Sequence, residues 1–225
     1  MAQEQGFASD NLCVLMRVVY SAIFGGRDRI NDSHFRTDGW DYVLFTDNAS
    51  LRSDFWDIRV VRPNSRDPRR AHKTYKLRPD LHLHDYDCSI WADGNLVLKD
   101  LSDFNDCRDA IRMQDHPDRK CVYDEAIACI AMGKDEKAVI ERHVDSLRKV
   151  GFPERRGLTY GGFMFRNHIK SAPMMTVCHT LVEMGSARDQ LSFVPSSWMT
   201  QTPIGKIPGV LSLSKYFTYH QHRAQ

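Results

Sequence analysis

An α/β fold is predicted for the 225-residue chain. Apolar strand-like runs come early, helical periodicity fills the middle, and a strand pattern returns after it. One domain spans 1–225, with a polar stretch at 1–10 and a loop-rich tail at 199–225.

Leu12 to Phe24, rich in Val, Leu, Met, Tyr and Ile, reads as a buried central strand stopped by Gly25-Gly26. DYVLFTD (Asp41 to Asp47) and WDIRVV (Trp56 to Val61) are two further strands, the second closed by Arg62-Pro63. Arg69 to Leu81 is basic and helical up to Arg78, because Pro79 disfavours a helical conformation in the residue before it. CSIWAD (Cys88 to Asp93) is a short apolar strand ending in a carboxylate, followed after Gly94-Asn95 by a second run, Leu96 to Leu98.

DEAIACIAM (Asp124 to Met132) and DEKAVIERHVDSLRKV (Asp135 to Val150) are helices; the second has acids first, Arg148 and Lys149 last, and Gly151 as its stop. Leu158 to Asn167 is a strand whose internal glycine pair signals a bulge or a close backbone approach. Ser171 is the expected cap of a helix with Pro173 in its first turn and Gly185 at its end, and a short helix starts near Asp189.

Composition bounds the function. With 42% hydrophobic and 27% charged residues the chain is neither disordered nor of low complexity, and 31 Lys+Arg against 29 Asp+Glu excludes a protein that coats nucleic acid indiscriminately. The apolar stretch at Leu12 to Phe24 carries Arg17 and is too short to span a bilayer, and the polar start has no basic region typical of a signal peptide. A cytoplasmic location is the expectation, and with it six reduced, buried cysteines.

Charge is distributed unevenly. Between Arg62 and Arg78 stand seven Lys or Arg and one acid, Asp67, whereas from Asp80 to Asp106 there are seven Asp and one base, Lys99. A cationic segment beside an acid-tipped strand suits a phosphate-bearing ligand bridged by a divalent metal; a solvated basic helix beside a solvated acidic loop is the alternative. Arg69, Lys73 and Lys76 lie at i, i+4 and i+7, on one helical face able to meet a diphosphate.

SIWADGNLVL (Ser89 to Leu98) resembles the Asp-x-Asp region of GT-A glycosyltransferases, with Trp91-Ala92-Asp93 in the triplet and only the second acid present. VVYSAIFGGRD (Val18 to Asp28), DYVLFTD, YKLRPDLHLHDYDCSIWADGN (Tyr75 to Asn95), GFPERRGLTYGGFMFRNH (Gly151 to His168) and SARDQLSF (Ser186 to Phe193) follow in an order similar to that of one glycosyltransferase-like family. This family, formerly a domain of unknown function, includes plant seed-mucilage proteins and bacterial relatives. The resemblance covers about Val18 to Trp198 and implies a GT-A-like single domain with a central mixed, mostly parallel sheet flanked by helices.

It also implies an activity: transfer of a sugar from a nucleotide diphosphate sugar, UDP-linked by preference, to a hydroxyl of a glycan acceptor. By the resemblance Tyr20, Ala22 and Ile23 line the nucleotide pocket and Asp47 meets base or ribose; Tyr20 as core and Asp47 as a turn cap with Asn48 are the structural alternatives. Arg69, Lys73 and Lys76, together with Trp91, Ala92 and Asp93, take the diphosphate, and Gly161-Gly162 let the backbone approach the sugar. Asp189-Gln190 is the expected catalytic pair, orienting donor and acceptor hydroxyls or deprotonating the acceptor, with a helix cap as the alternative for Asp189.

A divalent metal, Mn²⁺ or Mg²⁺, is expected on Asp93 with a C-terminal histidine, His220 or His222, and Glu125, His116, Arg166 and His168 are expected on the acceptor side. Two other readings stay open: a modified base in nucleic acid as acceptor, suggested by the Arg62 to Arg78 stripe, and a non-catalytic nucleotide- or glycan-binding module, suggested by Trp91 in place of the first acid.

Overall fold

The computed structural model describes residues 15–26 and 30–220. Its strands are β1 (Arg17–Ile23), β2 (Asp41–Thr46), β3 (Asp57–Val60), β4 (Cys88–Ala92), β5 (Leu96–Leu98), β6 (Ile111–Asp115), β7 (Thr159–Asn167), β8 (Ile204–Lys206) and β9 (Phe217–Tyr219). Its helices are α1 (Pro68–Leu77), α2 (Pro79–His82), α3 (Val122–Ala131), α4 (Lys137–Lys149), α5 (His168–Met184) and α6 (Phe193–Thr200).

Seven strands form one sheet in the order β3-β2-β1-β4-β7-β6-β8, and β5 pairs with β9 in a separate ribbon. Neighbours in the large sheet are parallel except on the two sides of β7, which runs antiparallel to β4 and β6. The fold is therefore α/β with a mixed, mostly parallel sheet. From β1 the chain builds outward through β2 and β3 on one side and then crosses to β4 on the other. In open α/β sheets such a switch point leaves a crevice at the carboxyl ends of the strands.

β1 is buried on both faces, as a central parallel strand must be. Val18, Tyr20 and Ala22 point to the side covered by α1 and α5, where they meet Ala71, Tyr75, Trp91, Met174 and Cys178. Val19 and Ile23 point the other way, into an aromatic core with Trp40, Phe55, Trp56, Phe163 and Phe217 that the β5–β9 ribbon helps to close. A third core, of Val122, Ile140, Val144, Leu147 and Val194, joins α3, α4 and α6.

α1 starts where the sequence dictates: Asp67 accepts from Arg69 N at 2.9 Å and Pro68 occupies the first turn. α5 departs from expectation. Its cap is Asn167, whose side chain accepts from Lys170 N, so Ser171 and Pro173 lie inside the helix. The predicted loop-rich tail supplies β8, an edge of the large sheet, and β9. Both are three-residue strands, too short for a period-2 pattern to register.

The bulge expected at the glycine pair is present. β6 pairs Met113 with Met164 and then Gln114 with Tyr160, so Gly161, Gly162 and Phe163 bow out of that ladder. The expectation of six reduced thiols fails at one place: Cys88 at the start of β4 and Cys107 form a disulfide, with Cα atoms 6.3 Å apart. The loop between β5 and β6 returns Cys107 to the foot of β4, a proximity that a separation of 19 residues does not announce. Cys121, Cys129 and Cys178 are free and buried. Among the described residues no helix is long and apolar enough to cross a membrane.

Candidate active site

At the carboxyl end of β4 the next residue is Asp93, anchored by its own N–H to Gly162 O at 2.8 Å. The Trp91 indole N–H donates to Asp93 Oδ1 at 2.7 Å, so the aromatic two residues before this acid is its hydrogen-bond donor. α1 then presents two lysines to the same place. Lys76 Nζ lies 3.4 Å from Asp93 Oδ1 and 2.8 Å from Asp189 Oδ2, and Lys73 Nζ lies 3.0 Å from Asp189 Oδ1. Lys76 also stands 5.5 Å from the Trp91 ring centre, within cation–π range.

Four residues from three separate segments thus form one charged cluster. The side chains of Lys76 and Asp189 are 3% and 7% exposed, whereas that of Asp93 is 30% exposed, so the cluster reaches solvent through Asp93. Burial alone would raise the Asp189 carboxyl, but Lys73 and Lys76 overrule it and hold it well below the usual carboxylate range. Asp93 is likewise lowered, burial being outweighed by Lys76 and Lys73. Burial brings Lys73 down to about 8 against the pull of Asp189, while Lys76, held by two carboxylates, is raised. A carboxylate held this firmly ionised is a poor general base. The Asp189 carboxylate is engaged by both lysines.

Three neighbours complete the cluster without having been singled out in the sequence. The His72 ring lies 5.5 Å from that of Trp91, and burial together with Lys73 and Lys76 lowers it to about 3, leaving a neutral imidazole. Tyr160 is raised by burial and by Asp93, Tyr219 and Asp189, which places its phenol among the acids. Arg188, beside Asp189, is raised by that acid among others, although burial opposes it. A histidine between basic residues and a tyrosine before a glycine pair carry no individual signal in sequence.

The glycine pair is required by contact. A Cβ at Gly161 would stand 2.7 Å from Phe193 Cε2 and 3.5 Å from Lys76 Nζ, and one at Gly162 would overlap the Tyr160 hydroxyl. The space expected for a sugar over this backbone is occupied by the chain's own side chains. Gln190, next to Asp189, is buried and its Nε2 has no hydrogen-bond partner among the described residues.

On the other face of β1 and β4, Ser21, Ile23, Asn31, His34, Trp56 and Asp93 line a cavity of about 10 Å³, enough for roughly one water. Asp93 therefore borders both this cavity and the lysine cluster. Ile23 and Ala92 line the cavity as expected of the crevice, but Ala22 packs toward α1 and α5. Asp47 accepts from Gly25 N with both carboxylate oxygens at 3.1 Å, so it ties the end of β2 to the end of β1.

Other expectations are corrected by burial and strand alternation. Tyr20 is a core residue, fully buried: its hydroxyl donates to Tyr75 O and Lys76 O at 3.2 and 3.0 Å and accepts from Arg166. Arg166 is fully buried beneath α1, donating also to Lys76 O, and cannot face an acceptor. His168 begins α5 beside Asp87, at the opposite end of β4 from Asp93, with neither ring nitrogen partnered among the described residues. Glu125 is 1% exposed and paired with Arg119, with His116 Nε2 at 3.8 Å and the Cys129 thiol donating to it at 3.3 Å. It is a neutralised buried acid and not an open acceptor contact.

The basic stripe is largely internal. Arg70 donates to Val182 O and Gly185 O, Lys73 and Lys76 serve the cluster, and Arg78 pairs with Asp80. Arg69, half-exposed, turns to Asp67 and does not join the lysines.

The expected divalent metal does not fit this donor set. Asp93 Oδ1 is taken by an indole N–H and an ammonium, and the exposed His220 is joined through its main chain to the Asn95 carbonyl and side-chain amide. Among the described residues no three His, Cys, Asp or Glu are grouped to hold an ion. His222 lies outside the described residues. No family model matches the chain, and no curated protein matches it in sequence.

Proposed function

We propose that this chain is a glycosyltransferase that takes a sugar from a nucleotide diphosphate donor, UDP-linked by preference, and passes it to a hydroxyl of a glycan. The observation that carries this reading is the convergence of Lys73, Lys76, Asp93 and Asp189 at the carboxyl ends of β1 and β4, where the strand order switches sides. The five sequence segments that suggested a GT-A-like domain supply three of its members and the glycine pair beside them.

In the reaction the bond between the anomeric carbon and the diphosphate oxygen breaks, its electron pair leaving with the diphosphate. The acceptor oxygen bonds to the anomeric carbon, and its proton departs to solvent. The developing charge on the diphosphate is met by the two ammonium groups, fixed in advance by Asp189, so that catalysis is positioning and electrostatic stabilisation.

A nucleic-acid acceptor is less well supported, because it relied on a free basic stripe and Arg70, Lys73, Lys76 and Arg78 are spent within the fold. A panel of nucleotide sugars tested for release of nucleoside diphosphate, with and without a glycan acceptor, checks the proposal. Release that rises with one donor and one acceptor is expected. No release from any common donor would sink the enzyme reading and leave the binding module.

A further inference from the structure

Lys76 does to the two acids what a divalent cation would do. Its ammonium bridges Asp93 and Asp189, carboxylates separated by most of a hundred residues, from a side chain 3% exposed. The position vacated by an Asp-x-Asp first acid holds Trp91, which offers Asp93 a proton instead of a second carboxylate and lays its ring beside the ammonium. Phe193 closes over Gly161 next to Lys76 Nζ, leaving no room there for any larger residue. An ammonium carries three N–H donors; Lys76 Nζ is within ion-pair reach of both carboxylates, and Lys73 Nζ within reach of Asp189. Beside them the Asp93 side chain, 30% exposed, opens the cluster to solvent.

We propose that this tethered pair, Lys76 backed by Lys73, replaces the divalent ion, so that the chain holds a nucleoside diphosphate without any metal. The inference rests on the nucleotide-sugar reading and deepens it. Coulomb attraction explains the arrangement: one mobile divalent charge between acids and phosphates is exchanged for two fixed single charges, already desolvated and oriented by Asp189.

The test uses the full chain and measures binding, by calorimetry and thermal shift, of UDP, GDP, ADP, CDP and dTDP in EDTA and then in Mn²⁺. A ligand favouring the native state raises its midpoint by mass action. The expected result is one nucleoside diphosphate whose Kd agrees within about twofold in the two buffers, and which Lys76→Met weakens at least tenfold. Mn²⁺ alone, followed by electron paramagnetic resonance, should leave its free-ion signal undiminished by the protein.

Should Lys76→Met fail to fold, Lys73→Met, which leaves Lys76 bridging both acids, serves with circular dichroism as the control and should weaken binding in the same direction. Binding confined to Mn²⁺, or stoichiometric Mn²⁺ uptake abolished by Asp93→Asn, overturns the substitution while preserving the nucleotide reading. No binding of any nucleoside diphosphate in either buffer overturns both.

Discussion

Two charged clusters lie under α1 and differ in what they do with their charge. At the carboxyl end of β4, Lys73 and Lys76 meet two acids and the cluster opens through Asp93, 30% exposed. Nearer the other end, Arg166 has no acid among its named hydrogen-bond partners; it spends its guanidinium on the Tyr20 hydroxyl and the Lys76 carbonyl and is sealed from water. The second cluster supports the first, since Arg166 and Tyr20 hold the backbone of the very residue whose ammonium bridges the acids. Polarity and burial alone therefore do not mark a site. An outlet to solvent, through Asp93, distinguishes one cluster from the other.

The largest effect is expected in the sealed cluster. Arg166→Met leaves the Lys76 carbonyl without its charged donor and should cost on the order of 3 kcal/mol, read as a lower urea midpoint at unchanged slope. Ligand affinity per folded molecule should change far less; if it falls more than stability does, the division between the clusters is wrong. Breaking the Cys88–Cys107 bridge comes next. It closes a loop over a separation of 19 residues beneath β4, and its loss should cost roughly 3 kcal/mol in the chain-entropy account. Thiol titration of the oxidised, denatured chain should find four reactive cysteines, rising to six after reduction; six from the start would remove the bridge.

His168 gives the sealed region a pH signature. Burial and the Arg166 charge lower it from 6.5 to about 4, so the unfolded chain binds the extra proton first as pH falls. The native state is thus favoured above pH 6.5 and loses up to about 3 kcal/mol on descent to pH 4. Asp93 and Asp189, also lowered, lose their contribution only below the ordinary carboxylate range. Urea midpoints of the wild type and His168→Phe between pH 7 and 4.5 should converge with acid; parallel curves would show that His168 charges freely in the native state.

Much of the frame was legible in sequence. β1, β2 and β4 lie within the runs that the apolar residues marked out, α1 begins one residue before the expected Arg69 and ends before the Pro79 stop, and the carboxylate ending CSIWAD does cap a strand at the switch point. Lys73, Lys76, Asp93 and Asp189 were among the candidates, yet nothing in their spacing said that the lysines would be buried against the acids. The misplaced residues share a cause. Tyr20 and Arg166 lie on strands buried on both faces, where alternation sends one side chain to the core and its neighbour elsewhere, and sequence does not say which face carries the ligand. Tyr160 and His72 required the third dimension, since a bulge and a helix turn bring them to the acids.

The smallest effect is also the sharpest test of the open cluster. Lys73 is brought down to about 8 by burial, despite Asp189, while Lys76 is raised; the two ammoniums should therefore part company above neutrality. Since the folded value lies below the ordinary 10.5, the native state gives up the Lys73 proton first. Stability rises by up to about 3 kcal/mol between pH 8 and 10.5 as a costly buried charge is relieved, while one of the two charges proposed to meet the phosphates disappears. Affinity for a nucleoside diphosphate should then fall about tenfold from pH 7 to 9, roughly 1.4 kcal/mol. Lys73→Met should bind at neutral pH as weakly as the wild type does at pH 9 and show no further step. A wild-type affinity flat across this range, with Lys73→Met nonetheless impaired, would assign Lys73 to holding Asp189 in place and leave Lys76 to face the phosphates alone.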